Sequence, residues 1–404
     1  MKNTRLTLLH PTGNSNVRAL AEGVEKMGLL QNFFTCIALF TNSIFYNFTG
    51  FGPLKEFRKR IFSNNLKPYT KVRPYSELGR LILQRFGFTS SFNTEKVYYD
   101  LDKYAARKIK NSNAVYAFED GALKTFEKAK SQQMTCYYDL PIGYWRSMHE
   151  ILEQERRNKP EWAETLQNFK DSREKLDRKD KELKLADQIF VASTFTAQTL
   201  ESYPDKLAPV KIIPYGFPEI SNEKVYPKQF RLPLKVLFVG GLSQRKGISY
   251  LFEAQDILKG EIELTVVGHK STEKCEVLNK SLEQCNWISS LPHPKILDLM
   301  RNHDVLVFPS LFEGFGMVIT EAMSQGIPVI TTNRTCGQDI ITHGENGWLI
   351  EAGSTTALVN QLQEIIETPS LIEKNGRAAI KTAEQRPWSK YGAEMAETLS
   401  RINN

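Results

Sequence analysis

The second half of the chain alternates short apolar segments with helical patterns. Segments rich in Val, Ile and Leu predict buried strands, and amphipathic stretches between them predict helices. The predicted strands are Val236–Val239, Leu264–Val267, Val305–Phe308, Pro328–Thr331 and Trp348–Ile350, and the predicted helices begin at Gly247, Ser271, Pro294, Phe315 and Thr355. Strands and helices that alternate with short links predict an α/β fold with a doubly wound parallel sheet.

The first half shows a looser form of the same alternation. Its predicted strands are Leu6–Leu9, Phe33–Ala38, Ala114–Ala117, Thr135–Tyr138, Gln188–Ala192 and Val210–Ile213. A turn-rich segment follows Ile213 and precedes the strands of the second half, which places a domain boundary near residue 217. We therefore predict two Rossmann-like domains, 1–216 and 217–385, and a C-terminal helix in 386–404 that packs back on the first domain.

Two further segments carry no predicted chemistry. Residues 146–184 form a charged helical stretch whose acidic and basic residues stand at helical-neighbour spacing, which predicts a solvent-facing surface. The aromatic stretch 33–51 is interrupted too often by polar residues to span a membrane. We interpret it as a core strand that leads into a loop.

Charge is distributed unevenly along the 404 residues. The net charge of +7 divides into +10 for residues 1–216 and −3 for residues 217–404. Much of the excess lies in residues 55–85, where nine Lys and Arg stand among aromatic and aliphatic residues with two Glu. Such a segment suits an anionic membrane surface or a lipid-phosphate acceptor, although on general grounds a solvated basic face is the more common meaning of this composition. No recognition motif accompanies the charge, so nucleic acid is not an expected partner.

The cysteines and the first residues favour an intracellular protein. The five cysteines are scattered, odd in number and without CxxC spacing, as expected of reduced thiols. The chain opens Met-Lys-Asn-Thr-Arg and leads directly into a predicted strand, without the apolar region of a secretory signal. We expect a cytoplasmic location, with peripheral contact to the inner face of a membrane as an option.

Glu313 and Glu321 are the strongest candidate site residues. They stand eight apart across a turn that carries Gly314 and Gly316, between a buried strand and a helix. That turn lies at the carboxyl end of a strand, where open α/β sheets bind ligands on the unpaired amides of the next helix. The amides of residues 314–317 (Gly314, Phe315, Gly316 and Met317) suit a diphosphate, and the two carboxylates suit sugar hydroxyls. Alternatively, both are ordinary acids near a helix start.

A second glycine-bearing turn follows the strand Val236–Val239. Gly240 and Gly241 allow close backbone approach, and Arg245 and Lys246 supply cations beside a helix start. This combination is typical of phosphate binding, although a solvated loop end has the same composition.

The first domain offers weaker candidates. Gly13, Asn14 and Arg18 lie between a strand and a helix, where they form an ordinary capped helix start or, by analogy with paired-domain transferases, touch the donor phosphate or the acceptor. Asp139 ends a strand, and a carboxylate there can orient an acceptor hydroxyl, accept its proton or cap a helix. Glu119 and Asp120 follow another strand in the same way.

The segment from Pro309 to Ile330 resembles the signature of the retaining, two-Rossmann-domain (GT-B) glycosyltransferases of the group-1, or family-4, type. In it, Glu-x7-Glu lies within P-S-x-x-E-G-F-G-x-x-x-x-E-A-M-x-x-G-x-P-V-I. The segment from Ala186 to Ser193 resembles the family's A-D-x-V-I-x-x-S strand, and the turn after Ile213 resembles its V-I-P-N-G-V-D junction. The resemblance covers residues 186–385 closely and the preceding residues in layout only.

The resemblance implies roles for individual residues. Lys246 matches the lysine of V-G-R-L-x-x-x-K-G, which neutralises the leaving diphosphate, whereas Gly241 occupies the position of the family's arginine. Glu313 would hold the sugar and Glu321 the ribose. Gly337 matches the glycine of G-G-x-x-E-x-V, and Leu291 and its neighbours resemble the nucleobase edge, which does not specify the base.

The resemblance also implies a retaining transfer without a metal or other cofactor. The expected partners are a UDP-, GDP- or dTDP-linked sugar and a glycan, lipid-linked or small-molecule acceptor. Many relatives carry a histidine near the reacting carbon where this chain has Asp139, and the nearest histidine here is His149. The histidines at 269, 293, 303 and 343 are interpreted as isolated surface or core residues.

Other interpretations compete with this one. Asp100-Leu-Asp102 supplies the D-x-D of a metal-dependent glycosyltransferase, whose carboxylates bridge a divalent cation and a diphosphate, or else a helix cap. A catalytically silent nucleotide-sugar or glycan binder is a further alternative. A phosphorylase-like enzyme would need a lysine motif for pyridoxal phosphate, which we do not find.

Overall fold

The computed structural model describes residues 4–43, 46, 57–85, 91–167, 169, 171–220 and 224–402. Most of the predicted loop that ends at residue 51, and positions 55 and 56 of the basic segment, lie outside the described residues.

Both domains are built on parallel sheets. The strands of the described residues are Leu6–Leu9 (β1), Leu30–Thr35 (β2), Leu39–Phe40 (β3), Ile61–Phe62 (β4), Thr70–Val72 (β5), Ala114–Phe118 (β6), Thr135–Leu140 (β7), Gln188–Val191 (β8), Val210–Ile212 (β9), Leu234–Val239 (β10), Ile262–Val267 (β11), Asn286–Ile288 (β12), Val305–Phe308 (β13), Val329–Thr332 (β14) and Trp348–Ile350 (β15).

Helices cover the faces of the sheets. They are Ser15–Lys26, Tyr75–Arg85, Ser91–Lys108, Leu123–Ser131, Trp145–Asn158, Arg173–Leu185 and Thr194–Thr199 in the first domain, and Ile248–Ile257, Glu276–Leu282, His293–Arg301, Met317–Ser324, Gly337–Ile340, Thr355–Glu367, Ser370–Gln385 and Trp388–Ile402 after it. Short 3₁₀ helices add Asn64–Tyr69, Pro160–Thr165, Leu200–Ser202 and Gln244–Lys246.

The strand orders are those of doubly wound sheets. The first sheet runs β5-β2-β1-β6-β7-β8-β9 and the second runs β12-β11-β10-β13-β14-β15, with every pairing parallel. The central strands β1, β6 and β13 are buried on both faces, as their largely apolar sequences predict. The predicted fold class, with two Rossmann-like sheets, is confirmed.

Several elements differ from the sequence prediction, which did not contain the short strands β3, β4 and β5. Strand β2 begins at Leu30, before the predicted Phe33, and includes the polar residue Asn32. Asn32 can be buried in the strand because its side-chain amide donates a hydrogen bond to Thr7 Oγ1 at 3.0 Å. The helix expected from Ser271 begins at Glu276. Strand β12 was missed, since it is a short edge strand that starts on an exposed asparagine.

The chain passes between the domains twice, and the two crossings lie side by side. Phe217 N donates to Arg386 O at 2.9 Å, and the Arg386 guanidinium donates to Pro214 O. The helix Trp388–Ile402 then packs on the first domain's helix Ser15–Lys26, backbone against backbone. A Cβ added at Gly23 would lie 2.0 Å from Gly392 O, so a larger side chain would force these helices apart.

No helix of the described residues combines the length and the apolar composition that a bilayer crossing requires.

Candidate active site

A cavity of about 680 Å³ lies where the carboxyl ends of the two sheets face each other. Side chains of both domains line it: His10, Asn14, Ser15, Asn16, Tyr98, Phe118, Pro141, Ile142 and Tyr215 from residues 1–216, and Val239, Gly240, Arg245, Lys246, Phe308, Glu313, Gly314, Phe315, Gly316, Met317, Val318 and Glu321 from the second domain. The cleft therefore contains both candidate carboxylates and both candidate cations.

Glu313 forms a charged cluster with the two cations at the second-domain wall. Its Oε1 accepts a hydrogen bond from Lys246 Nζ, one from Arg245 Nη1 at 3.0 Å and one from Ser310 Oγ at 3.0 Å. Burial alone would raise the pKa of Glu313, but Lys246 and Arg245 outweigh it and lower the pKa. Glu313 is thus ionised and held in place before any ligand arrives.

The side chain of Lys246 is largely buried in the same wall of the cavity. Its Nζ is 4.8 Å from the centroid of the Phe308 ring, a cation–π contact that limits its orientation. Burial lowers the pKa of Lys246, and Glu313 partly opposes that change. Because water is largely excluded here, the ammonium interacts more strongly with a phosphate than an exposed lysine would.

Two glycines shape the turn before the helix Met317–Ser324. Gly316 adopts φ +90°, which other residues rarely tolerate, and the first turn of the helix then borders the cavity. Gly314 allows the two domains to contact each other closely, because an added Cβ would lie 1.8 Å from Pro141 O. Gly314 O also accepts hydrogen bonds from Ser193 Oγ at 2.5 Å and Thr196 Oγ1 at 2.8 Å. The first domain therefore fixes the position of this turn.

Glu321 has a partner that the sequence analysis did not identify. His293 Nε2 lies 3.0 Å from Glu321 Oε1, at the start of the helix His293–Arg301. Burial raises the pKa of Glu321, and His293 opposes that change. The sequence analysis treated His293 as isolated, although its position two residues after Leu291, in the expected nucleobase edge, was a usable signal.

Several expected contacts lie elsewhere among the described residues. Leu291, Gly241, Gly337 and Gly13 are not part of the cavity lining. An added Cβ at Gly13 would lie 2.4 Å from Phe62 Cζ, and one at Gly337 2.6 Å from Thr331 Cγ2, so both glycines serve packing. The binding roles of these four residues stay predictions.

Arg18 also points away from the cavity. Its Nη2 donates to Lys59 O at 2.5 Å, and its guanidinium lies 5.5 Å from the centroid of the Phe62 ring. It borders a second cavity, between the helices Ser15–Lys26 and Trp388–Ile402. Asn14, by contrast, lines the main cavity as expected.

Asp139 is buried behind the cavity rather than within its lining. Its Oδ2 accepts a hydrogen bond from Tyr116 OH at 2.6 Å, while Pro141 and Ile142, just beyond it in the chain, reach the cavity. Burial raises the pKa of Asp139 from 3.8 to about 7, and the Tyr116 hydrogen bond opposes this only in part. Because Asp139 is bound to Tyr116 and lies outside the cavity lining, its position does not favour direct contact with an acceptor hydroxyl.

We predict that Asp139→Asn reduces the pH dependence of stability. The pKa of Asp139 is higher in the folded chain than its ordinary value, so the folded state binds this proton more tightly. The resulting stabilisation is complete below the ordinary pKa and is lost as the pH rises through about 7. Asparagine keeps an acceptor for Tyr116 without a charge. The difference in Tm between acidic and mildly alkaline buffer should therefore shrink, and an unchanged difference would show that Asp139 titrates normally.

The D-x-D residues are engaged by the protein itself. They lie within the helix Ser91–Lys108, where Asp100 accepts from Arg73 and Ser76. Asp102 accepts from the amides of Lys124 and Thr125, each at 2.8 Å, and so caps another helix. Because the two carboxylates have different protein partners, the contacts argue against a shared divalent cation. The described residues contain no cluster of three or more His, Cys, Asp or Glu side chains that could hold a metal ion.

The other acidic candidates of the first domain also have structural partners. Glu119 Oε2 lies 2.8 Å from Lys179 Nζ, and Asp120 Oδ1 lies 3.5 Å from the same atom. Neither carboxylate lines the cavity.

The charged stretch 146–184 is not simply a solvent-facing surface, which corrects the sequence prediction. Glu155, on the helix Trp145–Asn158, is buried against the second domain. It accepts from Gln244 Nε2 at 2.7 Å and from Tyr250 OH at 2.8 Å. Gln244 directly precedes Arg245 and Lys246, so this stretch supports the cation-bearing turn.

The fold and the cleft define the architectural class of the protein. Two Rossmann-like parallel sheets that face each other across a ligand-sized cleft form the GT-B architecture of glycosyltransferases. Sucrose-phosphate synthase from Thermosynechococcus elongatus shares this fold with a TM-score of 0.65 over 99% of both chains at 16% identity. HepE from Anabaena, solved in complex with UDP and glucose, gives 0.63 over 98% of this chain and 100% of its own at 18% identity.

The sequence places the second domain in a family. Residues 224–385 match the family model described as glycosyl transferases group 1. The resemblance found in the sequence is thereby confirmed, and these residues form a domain of that family.

Curated relatives match over part of their length. The capsular polysaccharide biosynthesis glycosyltransferase CapM of Staphylococcus aureus is 29% identical over 45% of this chain and 50% of its own. Lipopolysaccharide 1,6-galactosyltransferase of Salmonella typhimurium is 32% identical over 38% and 45%. The chain thus matches about half the length of these relatives.

Proposed function

We propose that this protein is a glycosyltransferase that moves a sugar from a nucleoside diphosphate to an acceptor hydroxyl, with retention of configuration and without a metal ion. The observation that carries this proposal is the buried cluster of Glu313 with Lys246 and Arg245. It lines the same cavity as Glu321. Cations, helix amides and two carboxylates in one cleft match the parts of a nucleotide sugar.

Each part of the donor has a partner in this arrangement. The diphosphate lies on the amides that begin the helix Met317–Ser324 and is neutralised by Lys246. Glu313 accepts hydrogen bonds from the sugar and Glu321 from the ribose. Lys246 then stabilises the charge that develops on the diphosphate as the bond to the sugar breaks, which is worth most in a site closed to water.

The fold relatives support this donor class. HepE was solved with UDP and glucose and, separately, with UDP-glucose, and a trehalose-6-phosphate protein of E. coli of the same fold was solved with UDP-2-fluoro glucose. Because these chains are 18% identical or less, the donor of the present protein remains our proposal.

A panel of nucleotide sugars tests the proposal. UDP-, GDP- and dTDP-linked sugars are compared by thermal shift and by slow hydrolysis, each with and without EDTA. A true donor at 100 times its Kd should stabilise the fold by about 2.7 kcal/mol, and its hydrolysis should survive EDTA. Binding without hydrolysis or transfer indicates a silent binder, EDTA-sensitive turnover indicates a metal enzyme, and no shift from any donor refutes the proposal.

We also propose peripheral contact with an anionic membrane through the helix Tyr75–Arg85 and the residues just before it. Tyr75 is 70% exposed and Ile82 58% exposed, an unusual solvent exposure for large apolar side chains. Part of the neighbouring positive charge is already neutralised: Arg60 and Arg80 pair with buried Glu77, and Arg73 pairs with Asp100. The apolar side chains are therefore expected to contribute much of the affinity.

We predict that the protein sediments with vesicles containing phosphatidylglycerol. Ile82→Asp should reduce the bound fraction several-fold, because it removes apolar contact and adds a repelled charge. Val225→Asp is the control, since Val225 is 87% exposed but lies in the second domain. Equal binding by both variants, or no binding by the unaltered protein, would contradict the membrane contact.

A further inference from the structure

The two walls of the main cavity differ in charge. The second domain contributes Arg245, Lys246, Glu313 and Glu321. The described residues of the first domain that line the cavity are His10, Asn14, Ser15, Asn16, Tyr98, Phe118, Pro141, Ile142 and Tyr215, none of which is an acid, a lysine or an arginine. The described part of the wall opposite the donor site is therefore polar and aromatic but uncharged.

His10 is the buried polar group of this wall. It follows β1, is 5% exposed, and its ring packs edge to face on Phe118 with centroids 4.7 Å apart. Its Nδ1 contacts Thr12 O, and the Thr12 amide nitrogen lies 3.1 Å from the same atom. Burial lowers the pKa of His10 to about 4, so the ring is neutral at physiological pH.

The two ring nitrogens of His10 have different surroundings. Nδ1 is engaged by Thr12, whereas Nε2 forms no hydrogen bond with the described part of the chain. The Thr12 carbonyl is the nearer contact of Nδ1, which favours a proton on Nδ1 and leaves Nε2 as an acceptor. A hydroxyl that enters the cavity can donate to it.

The chemistry of this wall suits a sugar ring better than a phosphate. The ring of Tyr98 suits the C–H surface of a pyranose, while His10 and the side-chain amides of Asn14 and Asn16 suit its hydroxyls. A phosphate on this wall would lose water without meeting a cation among the described first-domain residues of the lining, which is costly. The positive charge that acts on His10 belongs to Arg60, which is paired with buried Glu77. Arg18, the nearest basic residue expected from the sequence, is turned toward Lys59 O.

We propose that the first-domain wall binds the acceptor as an uncharged sugar ring, with His10 Nε2 accepting a hydrogen bond from an acceptor hydroxyl. The inference rests on the proposed glycosyl transfer and specifies the substrate class at its acceptor side. A histidine with so low a pKa is a weak base, so His10 binds and orients the hydroxyl rather than removing its proton.

The test compares His10→Phe with His10→Gln. Phenylalanine keeps the ring packing but loses Nε2, whereas glutamine can place an oxygen near the same position. With methyl glycosides of glucose, galactose and mannose as acceptors, His10→Phe should raise the acceptor KM about tenfold, the effect of one neutral hydrogen bond. Slow donor hydrolysis and the Kd for the donor should stay within about twofold, and His10→Gln should recover part of the loss.

Controls separate this role from a structural one. His269→Phe alters an exposed histidine outside the cavity and should leave all constants unchanged. Glucose 1-phosphate and inositol phosphate serve as charged acceptors. Transfer confined to the phosphorylated acceptors, no transfer to any methyl glycoside, or an unchanged acceptor KM in His10→Phe would overturn the inference. If the unaltered protein neither binds nor hydrolyses any nucleotide sugar, the proposed function itself fails instead.

Discussion

Lys246→Ala is expected to lower the rate of sugar transfer about 10²–10³-fold, the usual cost of removing one group that stabilises transition-state charge. The charge on the diphosphate grows as the bond to the sugar breaks, so the loss falls mainly on turnover and less on donor affinity. The buried position of Lys246 above Phe308 makes a substitute from water or a neighbouring side chain ineffective. Arg245 is a poor replacement, since its Nη1 is already bound to Phe312 O and Glu313.

Steady-state and single-turnover kinetics of the same variant test this expectation. Loss of Lys246 leaves Glu313 with Arg245 and Ser310 as partners, so the fold should survive, which a thermal melt verifies. Lys274→Ala, at an exposed lysine of the same domain, is the matched control and should retain full turnover. A Lys246→Ala variant that turns over at the unaltered rate would exclude Lys246 from the leaving-group role.

Glu321→Ala is expected to weaken the binding of UDP about 10- to 100-fold, since a hydrogen bond to a charged acceptor contributes about 1.5–3 kcal/mol. The carboxylate lines the cavity and is only partly occupied by His293, so one oxygen remains for the ribose. Glu321→Gln should lose less than the alanine variant because it keeps one acceptor. The effect should fall on the nucleotide and leave the ratio of transfer to hydrolysis nearly unchanged.

Isothermal titration calorimetry with UDP measures this loss directly. Glu345→Ala, at an exposed acid of the second domain, is the control for a change of charge alone. Unchanged affinity in Glu321→Ala would remove this residue from the ribose role and leave the pair with His293 as a purely structural contact.

The second domain could be predicted closely from the sequence, for a physical reason. Its strands are short β-branched runs between recognisable turns, so strands such as Val305–Phe308 agree with the structure. The pairing of Glu313 with Lys246 could not be predicted, because the two residues are far apart in sequence and meet only when β10 and β13 become neighbours.

The first domain shows where the sequence pattern loses its information. Strand β7 is buried on both faces, so the alternation of side chains does not tell which face Asp139 takes, and the structure turns it toward Tyr116. The glycine at 314 was interpreted as room for a phosphate, whereas it also provides room for Pro141 O across the cleft. Likewise, Glu155 looked like an exposed helix residue because its partners belong to the other domain.

The central claim is that the cleft between the domains holds a nucleotide, with Lys246 at its diphosphate and Glu321 at its ribose. A crystal structure of the protein with bound UDP tests it most directly. The account predicts the diphosphate on the first amides of the helix Met317–Ser324 within hydrogen-bond reach of Lys246, and a ribose hydroxyl on the Glu321 carboxylate. UDP bound elsewhere, or bound in the cleft with both side chains out of reach, would contradict it.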